Sequence, residues 1–254
     1  MKKFWKKTSL FLVTAAMTVS APLMAWALEH DIVILHTNDI HCGINDNIGF
    51  AGLAQIKKDA LARTPNVALV DAGDAIQGAP IGKLSRGLAV VDIMNYLGYD
   101  FCIPGNHEFD YGMDRFLDLV PLQRAGYYCA NFVYAGNNKQ VLPGYKIMQY
   151  EDTKVAFVGA STPESLTTST PTFFQNEKGK YIYSFCEDKT GNKLYKQLQK
   201  NVDKARKDGA DYVFIVGHLG MDGTTPQWSS ESVAKNTQGV NAVIDGHSHE
   251  RFTR

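Results

Sequence analysis

Residues 67–74 read VALVDAGD, an apolar run that stops abruptly at polar and turn-forming residues. A short continuous apolar run followed by turn residues indicates a buried strand. Runs of this kind recur along the chain. We therefore predict seven strands, over residues 32–36, 67–71, 101–104, 127–131, 155–159, 212–217 and 242–245.

Longer segments with helical spacing separate most of these strands. Apolar residues recur three and four positions apart, with charged residues between them, over residues 50–62, 90–97, 113–125 and 193–208. Gly98 and Gly126 follow two of these segments at helix-ending positions. The alternation of strands and helices predicts a layered α/β protein.

Two stretches interrupt this alternation. Residues 136–151 read as an exposed turn leading into a hairpin with residues 153–159, and residues 161–191 form a polar, threonine-rich insertion without periodicity. Long loops inside a compact domain are usually lids or surface decoration. We therefore expect the insertion to lie outside the core.

The overall composition favours one large globular domain and a small substrate. The chain has 254 residues, of which 44% are hydrophobic, and its 26 basic and 26 acidic residues give no net charge. A protein that neutralises a nucleic-acid backbone needs a basic excess, which this chain lacks. We therefore expect no nucleic-acid partner.

The N-terminus has the pattern of an export signal. Lysines precede an apolar run over residues 10–24, and Ala25-Trp26-Ala27 has the form of a cleavage site. We predict a signal peptide over residues 1–27, a catalytic domain over residues 28–254, and a periplasmic or secreted location. The alternative is an uncleaved membrane anchor, but the run is short for a spanning helix. No later segment is apolar for long enough to cross a bilayer, so we predict no stable membrane span.

The cysteines lie in the portion that would be exported, where disulfides can form. Cys102 and Cys129 fall in apolar runs and are more readily interpreted as small core residues. Cys42 follows a candidate metal ligand and is a less favoured extra ligand. Cys186 completes the set of four.

Polar residues concentrate directly after the predicted strands. Open α/β sheets bind their ligands at the carboxyl ends of strands, which makes these residues the candidate site. They include five of the seven histidines, at positions 41, 107, 218, 247 and 249. The segments are Asp39-Ile40-His41, Asp71-Ala72-Gly73-Asp74, Gly105-Asn106-His107-Glu108, Gly217-His218 and Asp245-Gly246-His247-Ser248-His249.

The donor types in these segments suit divalent metals. Carboxylate oxygen, imidazole nitrogen and amide oxygen together favour Zn, Mn or Co. The number of donors supports two ions, and an aspartate can bridge a pair because its carboxylate has two oxygens. Each segment alone could equally be a helix cap, a turn or a polar loop. Their joint occurrence at successive strand ends is what favours a metal site.

The same segments resemble a known family. The stretches HTNDIH (36–41), DAGD (71–74), GNHEFDYG (105–112), GH (217–218) and DGHSH (245–249) are similar to motifs of the calcineurin-like metallophosphoesterase superfamily. The long third block resembles the exported bacterial 5'-nucleotidases, which include UDP-sugar hydrolases. The resemblance implies a four-layer α/β/β/α sandwich.

The resemblance also implies a role for individual residues. One metal would be bound by Asp39, His41, Asp74 and His249. The other would be bound by Asp74, Asn106, His218 and His247, with Asp74 as the bridge. His107 would stabilise the phosphate transition state. Asp110 would orient the His107 imidazole and favour its protonated, positively charged form. The alternative for His107 is that it only donates or accepts a hydrogen bond with a metal ligand and does not contact the substrate.

The function that the resemblance implies is two-metal hydrolysis of phosphate monoesters. The expected activity is that of a 5'-nucleotidase acting on a small-molecule nucleotide, with UDP-sugars as further substrates, by direct attack of water without a phosphoenzyme. The alternatives are a 2',3'-cyclic phosphodiesterase with 3'-nucleotidase activity, a sulfur-ester hydrolase that would use the same ligands, and a non-catalytic, truncated metal-binding remnant. Relatives of this type continue into a nucleotide-binding domain, whereas this chain ends five residues after His249. We therefore expect a C-terminally truncated catalytic domain. The sequence does not determine its oligomeric state.

Overall fold

The structure is a computed structural model that describes residues 31–221 and 225–250. The predicted signal peptide, residues 1–27, and its alternative as a membrane anchor lie outside the described residues. Within residues 31–221 and 225–250, no helix is both long enough and apolar enough to span a bilayer.

The strands form two main sheets and one small ribbon. β1 (Val33–Thr37), β2 (Val67–Asp71) and β3 (Phe101–Cys102) are parallel and lie in that order. The second sheet has the order β5 (Tyr145–Tyr150), β6 (Thr153–Ser161), β8 (Tyr212–His218) and β9 (Ala242–Ile244), in which only the β5–β6 pair is antiparallel. β4 (Val133–Tyr134) and β7 (Tyr183–Ser184) form an antiparallel pair.

Helices follow most strands and cover the outer faces of the two sheets. The α-helices are α1 (Gly49–Leu61), α2 (Pro80–Ser85), α3 (Leu88–Leu97), α4 (Met113–Leu119), α5 (Ser165–Thr168), α6 (Asn192–Lys207) and α7 (Ser230–Asn236). Short 3-10 turns lie at His107–Phe109, Val120–Leu122, Pro171–Phe174 and Pro226–Trp228.

The alternation of side chains along the strands separates the core into layers. On β2, Ala68 and Val70 pack against the second sheet, whereas Leu69 points to the opposite side and packs with α3 and α4. On β6, Phe157 faces the first sheet and its neighbour Val158 faces α6. The two sheets therefore lie face to face with helices outside each, which confirms the predicted α/β/β/α sandwich.

Helix α6 shows why the outer layers form. Its buried residues are Leu194, Tyr195, Leu198, Asn201, Val202 and Ala205, which recur at helical spacing on one face. The rest of the helix is rich in lysine and glutamine. The apolar face packs on Val213 and Ile215 of β8. The sequence prediction of a helix over 193–208 is confirmed with a shift of one residue at each end.

Two sequence predictions are corrected. Residues 127–131 form no strand, because only Tyr127 bridges to Cys102 and the next amides bond to separate parts of the chain, Cys129 to the carbonyl of Pro143 and Ala130 to that of Gly159. The helix predicted over 113–125 ends at Leu119 and continues as a 3-10 turn. Pro121 has no N–H to donate to the preceding turn, so it cannot continue an α-helix.

The two irregular stretches have different outcomes. The hairpin is confirmed, because β5 pairs antiparallel with β6 from Tyr145 opposite Val158 to Tyr150 opposite Thr153. The insertion over residues 161–191 is irregular for most of its length, but it contains α5, a 3-10 turn and β7. The expectation that it lies outside the core is wrong, because Phe174 and Phe185 are fully buried in the cluster that covers the first sheet. Part of it reaches the candidate site, as described below.

The four cysteines are buried and free in the described part of the chain. Burial, together with the charge of Glu108, raises the pKa of Cys42 to about 12. A thiol that holds its proton this strongly is a poor metal ligand. Cys42 is also absent from the groups of converging donors, which agrees with the weak expectation for it.

Candidate metal centre

The predicted ligands come from five strand ends that meet at one edge of the sandwich. The loops after β1, β2 and β3 carry Asp39, Asp74 and Asn106, and His218 is the last residue of β8. Parallel strands bring their carboxyl ends to the same edge, so residues far apart in sequence become neighbours. His41 and His249, for example, are 208 positions apart, yet their Nε2 atoms are 3.4 Å from each other.

The backbone at these ends has an unusual conformation. Asp39, His41, Asp74, His247 and His249 all have positive φ angles, between 46° and 83°. Left-handed backbone at a residue other than glycine costs free energy and persists only where surrounding contacts enforce it. Its concentration at five predicted ligands indicates that the loops hold these side chains in a required direction.

A first cluster of donors consists of Asp39, His41 and His249. Their ligand atoms lie within 4.8 Å of one another. Asp39 Oδ1 is 3.3 Å from His249 Nε2. The second oxygen of Asp39 accepts hydrogen bonds from the Asn38 side chain at 2.7 Å and from the His247 amide at 3.0 Å, which fix the carboxylate in place.

A second cluster consists of Asp74, His218 and His247, again with ligand atoms within 4.8 Å of one another. Asp74 Oδ2 is 3.0 Å from His218 Nε2 and 3.9 Å from His41 Nε2, so Asp74 lies between the two clusters. Its other oxygen accepts the His107 amide at 2.8 Å. The position between two groups of donors is the one that a bridging carboxylate would occupy.

Two buried donor atoms in this region lack a full set of partners. Asn106 Oδ1 has no hydrogen-bond partner among the described residues, and His218 Nε2 has only the Asp74 carboxylate, 3.0 Å away. Such atoms are costly unless something satisfies them. Since both atoms are good metal donors and His218 belongs to the Asp74 cluster, the residues present fit a divalent cation.

The histidine rings are oriented for binding a cation. His218 Nδ1 donates to the carbonyl of Ala72 at 2.8 Å, and His41 Nδ1 lies 3.1 Å from the carbonyl of Gln77. A backbone acceptor on one nitrogen leaves the other free to coordinate a metal. In both rings, Nε2 is the nitrogen that faces the carboxylates.

The electrostatics of the centre favour positive charge. Burial lowers the pKa of His218, but the carboxylates of Asp74 and Asp39 outweigh it and raise the pKa to about 10. Burial likewise raises the pKa of Asp74, yet the charges and hydrogen bonds of His218 and His107 bring it down to about 2. The negative groups therefore attract a cation or a proton at this position.

His107 and Asp110 form a separate pair beside the clusters. His107 Nδ1 donates to Asp110 Oδ2 at 2.6 Å, and this bond raises the pKa of His107. The His107 side chain is 34% exposed, so its other nitrogen is accessible to a substrate. Its ring lies 5.2 Å from that of His41, between ring centres.

Glu108 is an organising residue to which sequence reasoning assigned no role. It is only 1% exposed, and its carboxylate accepts backbone N–H groups of Asp74, Ala75, Ile76 and Gly105 at 2.6–3.2 Å. The carboxylate thus joins the loops after β2 and β3. Its place within the GNHEFDYG block was the signal that could have indicated this role.

We expect Glu108→Ala to destabilise the protein. The change leaves four buried N–H donors without their acceptor, and each unsatisfied buried group costs about 1–3 kcal/mol, so the free energy of unfolding should fall by roughly 3 kcal/mol or more. Urea unfolding of the metal-free protein measures this. Glu177→Ala, at an exposed position, is the control. Equal midpoints for the two variants would contradict the role of Glu108.

Close backbone approach explains why a glycine stands at position 105 of the motif after β3. A Cβ atom at Gly105 would collide with Oδ1 of Asp74. Only glycine therefore lets the loop after β3 pass beside the central carboxylate. Asp71 supports the same region, accepting hydrogen bonds from Thr37 at 2.8 Å and from the Gly73 amide at 3.1 Å.

The structure brings six of the predicted ligands together in two neighbouring groups of three. Asn106 Oδ1 is buried without a partner among the described residues, and the His107 ring, bonded to Asp110, lies 5.2 Å from that of His41. His36 is exposed on β1 and belongs to neither group of converging donors. Together the fold and the site define a four-layer α/β protein with two candidate cation sites at the carboxyl ends of its strands.

The chain belongs to the calcineurin-like phosphoesterases, because the model of that family matches residues 32–251. A snake venom 5'-nucleotidase from Gloydius brevicauda is 29% identical over 94% of this chain and 40% of its own length. A 2',3'-cyclic-nucleotide 2'-phosphodiesterase/3'-nucleotidase from Haemophilus influenzae is 27% identical, with the same two coverages.

The fold is shared with solved structures of the family. A calcineurin-like phosphoesterase from Bacillus subtilis has a TM-score of 0.74 and 24% identity, and the match covers 88% of this chain and 73% of the other. The chain spans about 40% of the length of the curated relatives that it matches.

Proposed function

We propose that the protein hydrolyses phosphate monoesters with two divalent cations, and that its substrates are nucleoside 5'-monophosphates. The observation that carries the proposal is the pair of donor clusters on either side of Asp74, next to the His107–Asp110 pair. Metal clusters alone occur in many proteins. A protonatable imidazole beside them adds a positive donor that can offset the negative charge developing in phosphoryl transfer.

Each cation would have its own set of ligands. The first set is Asp39, His41, Asp74 and His249, and the second is Asp74, Asn106, His218 and His247. Zn, Mn and Co suit this mixture of oxygen and nitrogen donors. When bound, the two cations would supply an activated water and neutralise charge on the phosphate oxygens.

His107 would act on the substrate itself. Its Nδ1 is occupied by Asp110, which leaves Nε2 to donate a hydrogen bond to a phosphate or leaving-group oxygen. The hydrogen bond that His107 donates to Asp110 raises the pKa of the imidazole and so favours the protonated form. A positive donor at this point offsets the negative charge that develops during the reaction.

The choice of nucleotides rests on the relatives. The 5'-nucleotidases among them support nucleoside 5'-monophosphates, and UDP-sugars are a finer extension of the same proposal. The cyclic phosphodiesterase from Haemophilus influenzae supports a second candidate, hydrolysis of 2',3'-cyclic nucleotides and 3'-nucleotides. Export to the periplasm or the medium is proposed from the N-terminal sequence pattern.

A substrate panel tests the function. The purified protein is freed of metal with a chelator, reloaded with Zn, Mn or Co, and assayed for phosphate release from AMP, 3'-AMP, UDP-glucose and p-nitrophenyl phosphate, and for opening of 2',3'-cyclic AMP. We expect AMP hydrolysis that disappears on chelation and returns with metal. A preference for the cyclic and 3' substrates would favour the second candidate. Bound metal without hydrolysis of any ester would contradict both and support the non-catalytic alternative.

A further inference from the structure

One short segment of the threonine-rich insertion contacts both halves of the candidate site. This segment, residues 164–169, contains α5 and follows β6. At its end, Ser169 Oγ donates to Asp110 Oδ1 at 2.9 Å. At its start, Glu164 Oε2 is 3.4 Å from His247 Nε2. None of the motifs that identify the site includes these residues.

The Ser169 contact completes a chain of hydrogen bonds. Ser169 donates to one oxygen of Asp110, and the other oxygen accepts from His107 Nδ1 at 2.6 Å. A carboxylate held at one oxygen can rotate about its side-chain bonds, whereas one held at both cannot do so without losing a bond. Ser169 therefore restricts the plane of Asp110 and, through it, the direction of the imidazole.

The Glu164 contact likewise holds a residue of the candidate site, the predicted metal ligand His247. A metal-binding histidine often donates a hydrogen bond to a carboxylate. This bond fixes the ring, and the second ring nitrogen then remains available to the metal. Both Glu164 and His247 are shielded, with side chains 8% and 15% exposed. The contact is thus protected from competing water.

The segment is itself held firmly. The amides of Thr167 and Thr168 both donate to the Glu164 carbonyl at 2.8 Å, which closes the turn. Just before it, the Thr162 amide donates to the carbonyl of His218 at 2.8 Å. The segment is therefore anchored to the strand end that carries a predicted ligand, and it can transmit a fixed geometry to both Asp110 and His247.

We propose that Ser169 and Glu164 are positioning residues, Ser169 for His107 through Asp110 and Glu164 for His247. The inference rests on the proposed hydrolytic function for its kinetic consequence. Its structural consequences can be measured separately, in the hydrogen bond of His107 and in metal binding.

Ser169→Ala tests the first half. We expect kcat for the best substrate to fall about 10-fold or more with KM unchanged, as is typical when an outer hydrogen-bond partner is lost. Ser169→Thr keeps the hydroxyl and should restore kcat. Thr168→Ala is the control, because Thr168 is exposed on the same turn and its hydroxyl bonds only to the Glu164 carbonyl.

The nuclear magnetic resonance signal of the His107 Nδ1 proton gives a second readout. We expect it to shift in Ser169→Ala and to return in Ser169→Thr, with the unfolding midpoint of both variants close to that of the wild type. An unchanged signal together with an unchanged kcat in Ser169→Ala would overturn this half of the inference. An inactive wild-type protein would refute the proposed function instead, and the proton signal would still decide the role of Ser169.

Glu164→Gln tests the second half by titration with Co²⁺, followed by its visible absorption. We expect one of the two binding steps to weaken about 10-fold or more and the other to stay unchanged. Glu177→Gln, at an exposed position, is the matched control. Two unchanged steps in Glu164→Gln would overturn this half, whatever the hydrolytic activity.

Discussion

Asp74→Asn is expected to abolish hydrolysis and to weaken both cation sites at once. The substitution keeps the shape of the side chain but replaces one oxygen by an amide and removes the charge. Asp74 lies between the clusters, 3.0 Å from His218 Nε2 and 3.9 Å from His41 Nε2. No single-site ligand should have this double effect.

The size of the effect follows from burial. Asp74 is 2% exposed, so water cannot replace the lost charge. Loss of a residue that only supports a metal ligand typically lowers activity about 10- to 100-fold. Loss of the ligand shared by both cations should therefore lower kcat/KM by at least about 100-fold.

Metal content and hydrolysis measure the two consequences together. Elemental analysis after dialysis should find far less of both ions in Asp74→Asn than in the wild type. Asp92→Asn, on an exposed position of α3, controls for a change of charge elsewhere. Full metal content with normal metal-dependent hydrolysis in Asp74→Asn would show that the bridging assignment is wrong.

His107→Asn is expected to lower turnover without loss of metal, unlike Asp74→Asn, which should affect both. The variant should retain both metals and lose about 100- to 1000-fold in kcat, the usual cost of removing a donor that stabilises transition-state charge. The reason lies in its position. His107 adjoins the clusters, but its ring bonds to Asp110 and belongs to neither group of converging donors.

A comparison with His36→Asn makes this test specific. His36 is exposed on β1, so its loss should leave kcat unchanged. Metal content by elemental analysis and KM complete the measurement. If His107→Asn lost a metal ion, His107 would be a ligand, and if it kept wild-type kcat, His107 would have no part in the reaction.

The sequence predicted the architecture well where apolar periodicity is strong. The runs that became β2, β6 and β8 are fully apolar over several residues, and α6 shows a regular apolar face, so pattern alone identified them. It failed for residues 127–131, because an apolar run does not reveal whether a neighbouring strand is free to pair with it. Pro121 could have shown that the helix after Met113 is short.

The convergence of the candidate donors could also be predicted from the sequence. Ligand chemistry depends on residue type, and a strand end places its following residues at a known edge of the sheet. Asp39, Asp74 and His218 could therefore be predicted from type and position together.

The supporting contacts depended on the tertiary structure. Glu108 had no assigned role until its carboxylate was seen among four backbone amides from two loops. Ser169 and Asp110 are 59 positions apart, and Glu164 and His247 are 83 apart. A hydrogen bond needs two atoms within about 3 Å, and no local pattern specifies such a distance between remote residues. Composition and periodicity therefore reveal which side chains can do the chemistry, whereas folding determines which others hold them in place.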